Sequence, residues 1–406
     1  MKLYLFTDSF PHGLSETFLE NELPFLSTKF DAVIIIPLYK KAEIRSMPSN
    51  VKVWNPIIKF NPKVQLQLLI CGMLNFSPIG FALKEFFNKK IYSNPKWIWN
   101  FFTSLLLFRA IYSNRSTWKK LVTNINHEDK LYFYWADKSA LMLPFLKQKI
   151  QNTSFVRFHR TDLYEYAKGG YIPFRTHLFP AIDWFLPISE DGKNYLNKTY
   201  TALINEDKIR VCRLGVFDHG INPGKNDGEV FQLVSCSYMV PVKRISLIIN
   251  ALRELSLPIK WTHIGTGEME KQVKELIKSL PTNIEVELKG AVSNTEVLEY
   301  YKKNHVDLFI NVSASEGVPV SIMEVQSFGI PCIATNVGGT AEIVDNAVGK
   351  LLVTNISAYK ISKIIQYLYN QDLEETRNNA RSRWNESCNA EKNYTEFVDF
   401  ISETGR

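Results

Sequence analysis

The sequence predicts an α/β protein built from two doubly wound domains, and three observations carry that reading. Its 406 residues exceed what one ordinary core fills, so two domains of roughly 150 to 200 residues are expected. Short apolar, strand-like runs alternate with helical periodicity, the pattern of a mostly parallel sheet covered on both faces. The alternation then restarts near residue 231, after a stretch dense in turn formers.

In the first half the strand-like runs are LYLF (3–6), AVIIIPL (32–38), LYFYWA (131–136), FVRFH (155–159) and WFLPIS (184–189). Helical periodicity fills ETFLENELPFL and the run from about 66 to 120. The second half repeats more cleanly. FQLVSCS (231–237) precedes a helix over 243–256, and IKWTHIG (259–265) precedes MEKQVKELIKSL. IEVELKG (284–290), the helix TEVLEYYKKN, VDLFINV (306–312), a helix over 319–328 and PCIAT (331–335) follow. GINPGKNDGE (220–229) reads as the linker between a first domain over 1–219 and a second over 230–380. The polar, helical tail over 381–406 is suited to crossing back to the first domain. Two such domains are expected to face each other across a cleft at the C-terminal edges of their sheets, where open α/β folds bind ligands.

Composition excludes several classes. An apolar content of 45% fills two cores and is not that of a disordered or fibrous chain. The opening MKLYLFTDSF reads as a strand, because charge returns at Asp8 before a signal-peptide core forms, and no apolar run of about 20 residues is present. Five scattered cysteines show neither pairing nor metal-ligand spacing, and those at 212, 236 and 332 read as core residues in a reducing, cytoplasmic compartment. The net charge of +7 is uneven. Residues 51–125 hold eleven Lys/Arg against Glu85 alone, and the remainder of the chain is net −3. That segment is also aromatic, as in KEFFNKKIYSNPKWIWNFFTSLLLFRAIYSNRSTWKK. Such a mixture suits attachment to an anionic membrane surface; core helices with a solvated basic face would explain it equally. Its aromatics sit in long apolar runs without a nucleic-acid-binding motif.

The stretch SASEGVPVSIMEVQSFGIPC (313–332) holds a carboxylate in a bend, Glu316, and another in the helix that follows, Glu324. Two acceptor-only groups beside a helix start suit a ligand with several hydroxyls and a phosphate. A turn-capping Glu316 and a solvated Glu324 are the structural alternative. Neighbouring glycine turns favour the ligand: Gly338-Gly339 in NVGGTAEIV, and Gly265 and Gly267 in HIGTGEMEK, all at strand ends of one domain. None is a Lys-Ser/Thr phosphate loop, and none is the dinucleotide fingerprint.

The run EGVPVSIMEVQSFGIPCIATNVGG resembles the signature of retaining, nucleotide-sugar-dependent glycosyltransferases of family GT4, which have the GT-B fold of two Rossmann-like domains. Their two glutamates are separated by seven intervening residues, here Glu316 and Glu324. The resemblance implies that Glu316 lies by the donor hexose and Glu324 binds the nucleotide ribose. Lys243 in MVPVKRISLII matches the lysine that meets the donor diphosphate. The family's partner arginine falls at Tyr238, and Arg244 is the nearby candidate to replace it. Gly338, Gly339 and Glu342 also match.

In the first half, FTDSFPHGLSETFLENEL (6–23) resembles the opening of transferases that build exopolysaccharide, capsule and O-antigen units, and Gly13, with Ser15 and Glu16, falls in the loop facing donor phosphates and acceptor. FVRFHRTDLYEYAKGG (155–170) resembles the family stretch whose histidine lies near the transferred sugar, here His159, with Asp162 close by. A histidine just past a strand is as often structural. Ser189-Glu190 and Asp218 occupy matching turns.

The resemblance implies transfer of a hexosyl unit from a UDP- or GDP-sugar, with retention, to a glycan acceptor on an isoprenoid diphosphate lipid at the inner face of the membrane. No cofactor and no metal are expected, since no DxD or His/Asp cluster is present. The diphosphate leaves readily, so holding it and stabilising its charge is the main task. A sugar-nucleotide epimerase and a non-catalytic glycan- or membrane-binding homologue are the alternatives on the same fold.

Overall fold

Two six-stranded parallel sheets form the framework. A computed structural model describes residues 1–13, 16–40, 43–58, 80–224 and 230–405. Ser15, Cys71, the start of the expected 66–120 helical run and residues 225–229 of the expected linker lie outside the described residues.

The first sheet comprises β1 (Lys2–Thr7), β2 (Ala32–Pro37), β3 (Val51–Val53), β4 (Lys130–Phe133), β5 (Ser154–Phe158) and β6 (Trp184–Pro187), in the order β3-β2-β1-β4-β5-β6. The second comprises β7 (Phe231–Cys236), β8 (Ile259–Ile264), β9 (Ile284–Gly290), β10 (Leu308–Asn311), β11 (Cys332–Thr335) and β12 (Gly349–Leu352), in the order β12-β11-β10-β7-β8-β9. Read from β9, the second order repeats the first. In each sheet the opening strand lies between its second and fourth, so the strand order reverses between β1 and β4 and between β7 and β10. Loops diverge at such a switch point and leave a crevice.

Both faces of the first sheet are covered. In β1, Tyr4 and Phe6 join a core with Phe108, Trp118 and Phe133, while Leu3 and Leu5 join another with Leu19, Leu23, Phe397 and Ile401. This is why its strands read as unbroken apolar runs. On the same sheet, Glu22 and Arg157 form an ion pair at 2.5 Å with both side chains fully buried.

The chain divides into two compact units, Met1–Cys212 with Tyr394–Arg406, and Arg213–Asn393. The change of unit falls before the Gly/Pro-rich 220–229. Residues 214–222 are tied to the second unit: Val216 N–H donates to Cys388 O at 2.9 Å, and Asn222 Nδ2 donates to Tyr301 O at 2.5 Å. The last helix, Ala390–Glu403, contributes Phe397, Val398 and Ile401 to the core under β1 and β2.

Within the basic, aromatic segment lie the helices Gly80–Asn88, Pro95–Ser113 and Arg115–Asn124. Its one acid, Glu85, is buried and accepts from Tyr171 Oη (2.5 Å), Phe174 N–H (2.8 Å) and Thr176 Oγ1 (2.8 Å). Among the described residues, no helix is long and apolar enough to cross a membrane, and the four cysteines are free.

Candidate functional site at the switch-point loops

In the second unit, β7 ends at Cys236 and the chain passes Tyr238 to the 3-10 turn Pro241–Lys243. The neighbouring β10 ends at Asn311, and residues 312–319 lead into the helix Val320–Ser327. The two loops are joined directly. Ala314 N–H donates to Val242 O at 2.7 Å, and Lys243 Nζ lies 2.5 Å from Glu316 Oε1. Asn311 Nδ2 reaches the same oxygen at 3.4 Å. The sequence-predicted Lys243 and Glu316 are therefore partners, at the switch point of this sheet.

Arg244 is placed otherwise than the phosphate expectation suggested. Its backbone is left-handed, with φ of 51°, and its guanidinium donates to the carbonyls of Val312 (2.5 Å), Ser313 (3.1 Å) and Thr354 (2.8 Å). It braces the loop that carries Glu316. Tyr238 is 74% exposed.

Glu324 is buried in the helix that follows, where its Oε1 accepts from Asn294 Nδ2 at 2.6 Å. Burial pushes its carboxyl up to about 7, opposed by the Asn294 hydrogen bond. An amide supports it without supplying charge, so the acid is poised between its two forms near neutrality.

The glycine turns have a main-chain reason that needs no ligand. A Cβ at Gly265 would stand 2.0 Å from Ser237 O, one at Gly267 2.5 Å from Met239 O, and one at Gly338 2.2 Å from Glu316 O. Gly265 and Gly338 also hold positive φ, 134° and 54°. Gly339 N–H donates to Gly317 O at 2.6 Å. The loop after β7 thus lies on the turn after β8, and the loop after β10 on the turn after β11. Glu342 instead pairs with Arg213 at 2.8 Å, and Asp218 with Arg381.

In the first unit, Gly13 has φ of 72° and its carbonyl accepts from Arg45 Nε at 2.5 Å. Glu16, at φ of 58°, folds its carboxylate onto the chain leaving β1. It accepts from the N–H groups of Asp8 (2.9 Å), Ser9 (2.7 Å) and Phe10 (2.6 Å) and from Trp135 Nε1 (2.7 Å). Asp8 pairs with Lys138, and burial raises its carboxyl to about 6 against the pull of that lysine.

His159 lies just past β5 against the rings of Tyr134 and Trp135, at centroid distances of 4.7 and 4.6 Å. Burial and then the Arg157 charge push its imidazole down to about 3, so it is neutral. Its Nε2 is buried without a hydrogen-bond partner among the described residues. Asp162 accepts from Ala136 N–H and His159 N–H, each at 2.6 Å, and so ties the exits of β4 and β5 together. Ser189 caps the helix Glu190–Tyr200 by accepting from Gly192 N–H at 3.0 Å.

Sequence reasoning missed Asn294, Asn311, Asp8 and Lys138. Asn294 opens a helix behind the capping pair Ser293 and Glu296, a signal of helix start rather than of a partner thirty residues on. Among the described residues, no group of three His, Cys, Asp or Glu is disposed to hold a metal ion.

Residues 221–386 match the family described as glycosyl transferases group 1. The chain is 26% identical over 228 residues to an Escherichia coli (strain K12) glycosyltransferase named for colanic acid biosynthesis, covering 54% of this chain and 55% of the relative. An amylovoran biosynthesis glycosyltransferase of Erwinia amylovora is 25% identical over 249 residues, 58% of this chain and 59% of the relative. The chain thus spans little more than half the length of these relatives. Among solved structures, the apo form of a lipopolysaccharide outer core galactosyltransferase superposes with a TM-score of 0.69 at 15% identity, over 98% of this chain and 99% of that one. An Anabaena protein in complex with UDP-glucose does so at 0.64 and 13% identity, over 98% and 99%. The likeness to the group 1 glycosyltransferases lies in residues 221–386, and the fold of the chain is GT-B.

Proposed function

We propose that this protein is a retaining hexosyltransferase of surface polysaccharide assembly. It takes a sugar from a UDP- or GDP-linked donor and passes it to a hydroxyl of a glycan carried on an isoprenoid diphosphate, at the cytoplasmic face of the membrane. The observation that carries this reading is the pairing of Lys243 with Glu316 at the β7/β10 switch point, with Glu324 in the helix that follows.

In this reading Lys243 meets the donor diphosphate and holds the negative charge that develops as it departs. The Glu324 carboxylate accepts from the ribose hydroxyls, and Glu316 positions the hexose. The neutral His159 offers a hydrogen bond to the transferred sugar through a ring nitrogen that is otherwise unpartnered. Support for a nucleotide donor comes from the Anabaena structural neighbour, whose crystals hold UDP-glucose. Support for a surface glycan comes from the colanic acid, amylovoran and O-antigen names of relatives.

The test is to incubate the protein with UDP- and GDP-hexoses, with and without an isoprenoid-diphosphate-linked oligosaccharide, and follow free nucleotide and glycan product. One donor should be consumed in an acceptor-dependent way, with the anomeric configuration preserved by NMR. Isomerisation of a donor without acceptor would make the protein an epimerase, and no turnover of any donor would leave the non-catalytic reading.

A further inference from the structure

The helices Gly80–Asn88 and Pro95–Ser113, with the short turn Ile91–Ser93 between them, expose large apolar side chains that a core would ordinarily cover. Leu83 is 52% exposed, Phe87 64%, Tyr92 55%, Trp99 72% and Phe102 48%. They form one surface. The half-buried ring of Phe86 stands 5.5 Å from Phe87, 6.1 Å from Tyr92 and 6.1 Å from Phe102. Leu83 and Phe87 are four residues apart on one helix, and Trp99 and Phe102 three apart on the other, so each pair shares a helix face. Phe101 packs beneath them, 5.2 Å from Phe86 and 5.4 Å from Phe174, which anchors the surface to the core.

The charge of this face has one sign. Lys84, Lys90 and Lys96 are exposed along it. The one acid of residues 80–113, Glu85, is turned inward onto Tyr171, Phe174 and Thr176. A second copy of the chain is a poor occupant, because pairing two such faces sets lysine against lysine with no carboxylate between them. Exposed Trp, Tyr and Phe beside outward lysines are instead the chemistry of the lipid headgroup boundary.

We propose that this face docks the protein onto an anionic lipid bilayer. Leu83, Phe87, Tyr92, Trp99 and Phe102 enter the boundary between headgroups and acyl chains, and Lys84, Lys90 and Lys96 meet the lipid phosphates. The contact lies on the membrane and does not span it. The long helix also lines, through Asn100, Thr103, Ser104 and Leu107, a cavity of 210 Å³ that Asp137 and Lys138 border at the exit of β4. The docking itself rests on the chemistry of this face and does not require the transfer reaction.

The experiment is sedimentation of the full chain with vesicles of phosphatidylcholine alone, and of phosphatidylcholine with phosphatidylglycerol. The protein should bind the anionic vesicles, release them at high salt, and show a blue shift in tryptophan emission that W99F removes. The combined variant F87S/W99S/F102S should lose at least tenfold in partitioning. The combined variant K84Q/K90Q/K96Q should lose on the order of 100-fold. All these side chains are exposed, so an unchanged melting temperature confirms that each variant is folded. Equal binding to neutral and anionic vesicles, no binding, or full binding by either combined variant would overturn the proposal. So would self-association of the wild type without lipid that F87S/W99S/F102S abolishes, which would assign the face to a second copy. Donor turnover in solution is read separately, so either result can fail without the other.

Discussion

Lys243 Nζ and Glu316 Oε1, 2.5 Å apart, join the loop that leaves β7 to the loop that leaves β10. Both side chains are largely buried, at 23% and 11% exposure, so removing one partner strands the other. K243A should destabilise the second unit by about 1–3 kcal/mol and weaken nucleoside diphosphate binding by about 10–100-fold. E316Q should leave nucleotide binding nearly intact while lowering turnover. Thermal melts and titration calorimetry on the two variants separate these effects.

Glu324 should make both stability and ligand affinity depend on pH near neutrality. Its folded carboxyl titrates at about 7 against an ordinary 4.5, so the folded state holds the proton more tightly than the unfolded chain. The resulting stabilisation is fully present below about pH 4.5 and is lost as pH rises through about 7, amounting to about 3 kcal/mol at most. Ribose hydroxyls need the ionised form, so nucleotide affinity should rise with pH through the same window and binding should release a proton. Calorimetry in buffers of different ionisation enthalpy measures that proton, and E324Q should abolish it.

His159 should contribute no limb to the pH–activity profile. Its imidazole is held near 3, so it remains neutral at any working pH. H159A should lower turnover by about 10–100-fold without moving the profile. The unfolded chain takes up a proton at this residue below about pH 6.5, so wild-type stability should decline as pH falls from there towards 3, more steeply than that of H159A. Urea unfolding at several pH values checks the slope.

Gly338 and Gly265 should be intolerant of alanine whether or not a ligand is bound. The added Cβ would meet a main-chain carbonyl at 2.2 and 2.0 Å, at a backbone angle disfavoured for any other residue. Each variant should lose at least about 2–3 kcal/mol. A melting temperature unchanged in either would refute the packing reason given for these turns.

Glu16 should act through the loop after β1. E16A leaves three main-chain donors and the Trp135 indole without their acceptor. Amide hydrogen exchange should accelerate over residues 8–13 by at least tenfold and stay unchanged in the second unit.

The central strands were legible because they are buried on both faces, which makes LYLF, AVIII and LFI continuous apolar words. The edge strands β3 and β12 were not. Val51–Val53 is three residues with a lysine at its centre, and Gly349–Leu352 opens on a glycine and a lysine, so neither carries that signal. In the site, Glu316, Glu324 and Lys243 were visible because their spacing matches a family pattern. That Lys243 pairs with Glu316 while Arg244 braces carbonyls was not, since adjacent residues leaving a turn point in directions that sequence does not encode. Asn294 was hidden for a related reason. Its contact with Glu324 depends on how two helices of one unit pack, and neither helix names the other.

Titration of UDP and GDP into the wild type, K243A and E324A at neutral pH tests the donor site most directly. One nucleotide should bind the wild type, and each variant should weaken that binding by at least tenfold, K243A through the diphosphate and E324A through the ribose. Binding undiminished in both variants, or none by the wild type even at about millimolar nucleotide, would contradict the assignment of the β7/β10 switch point as the donor site.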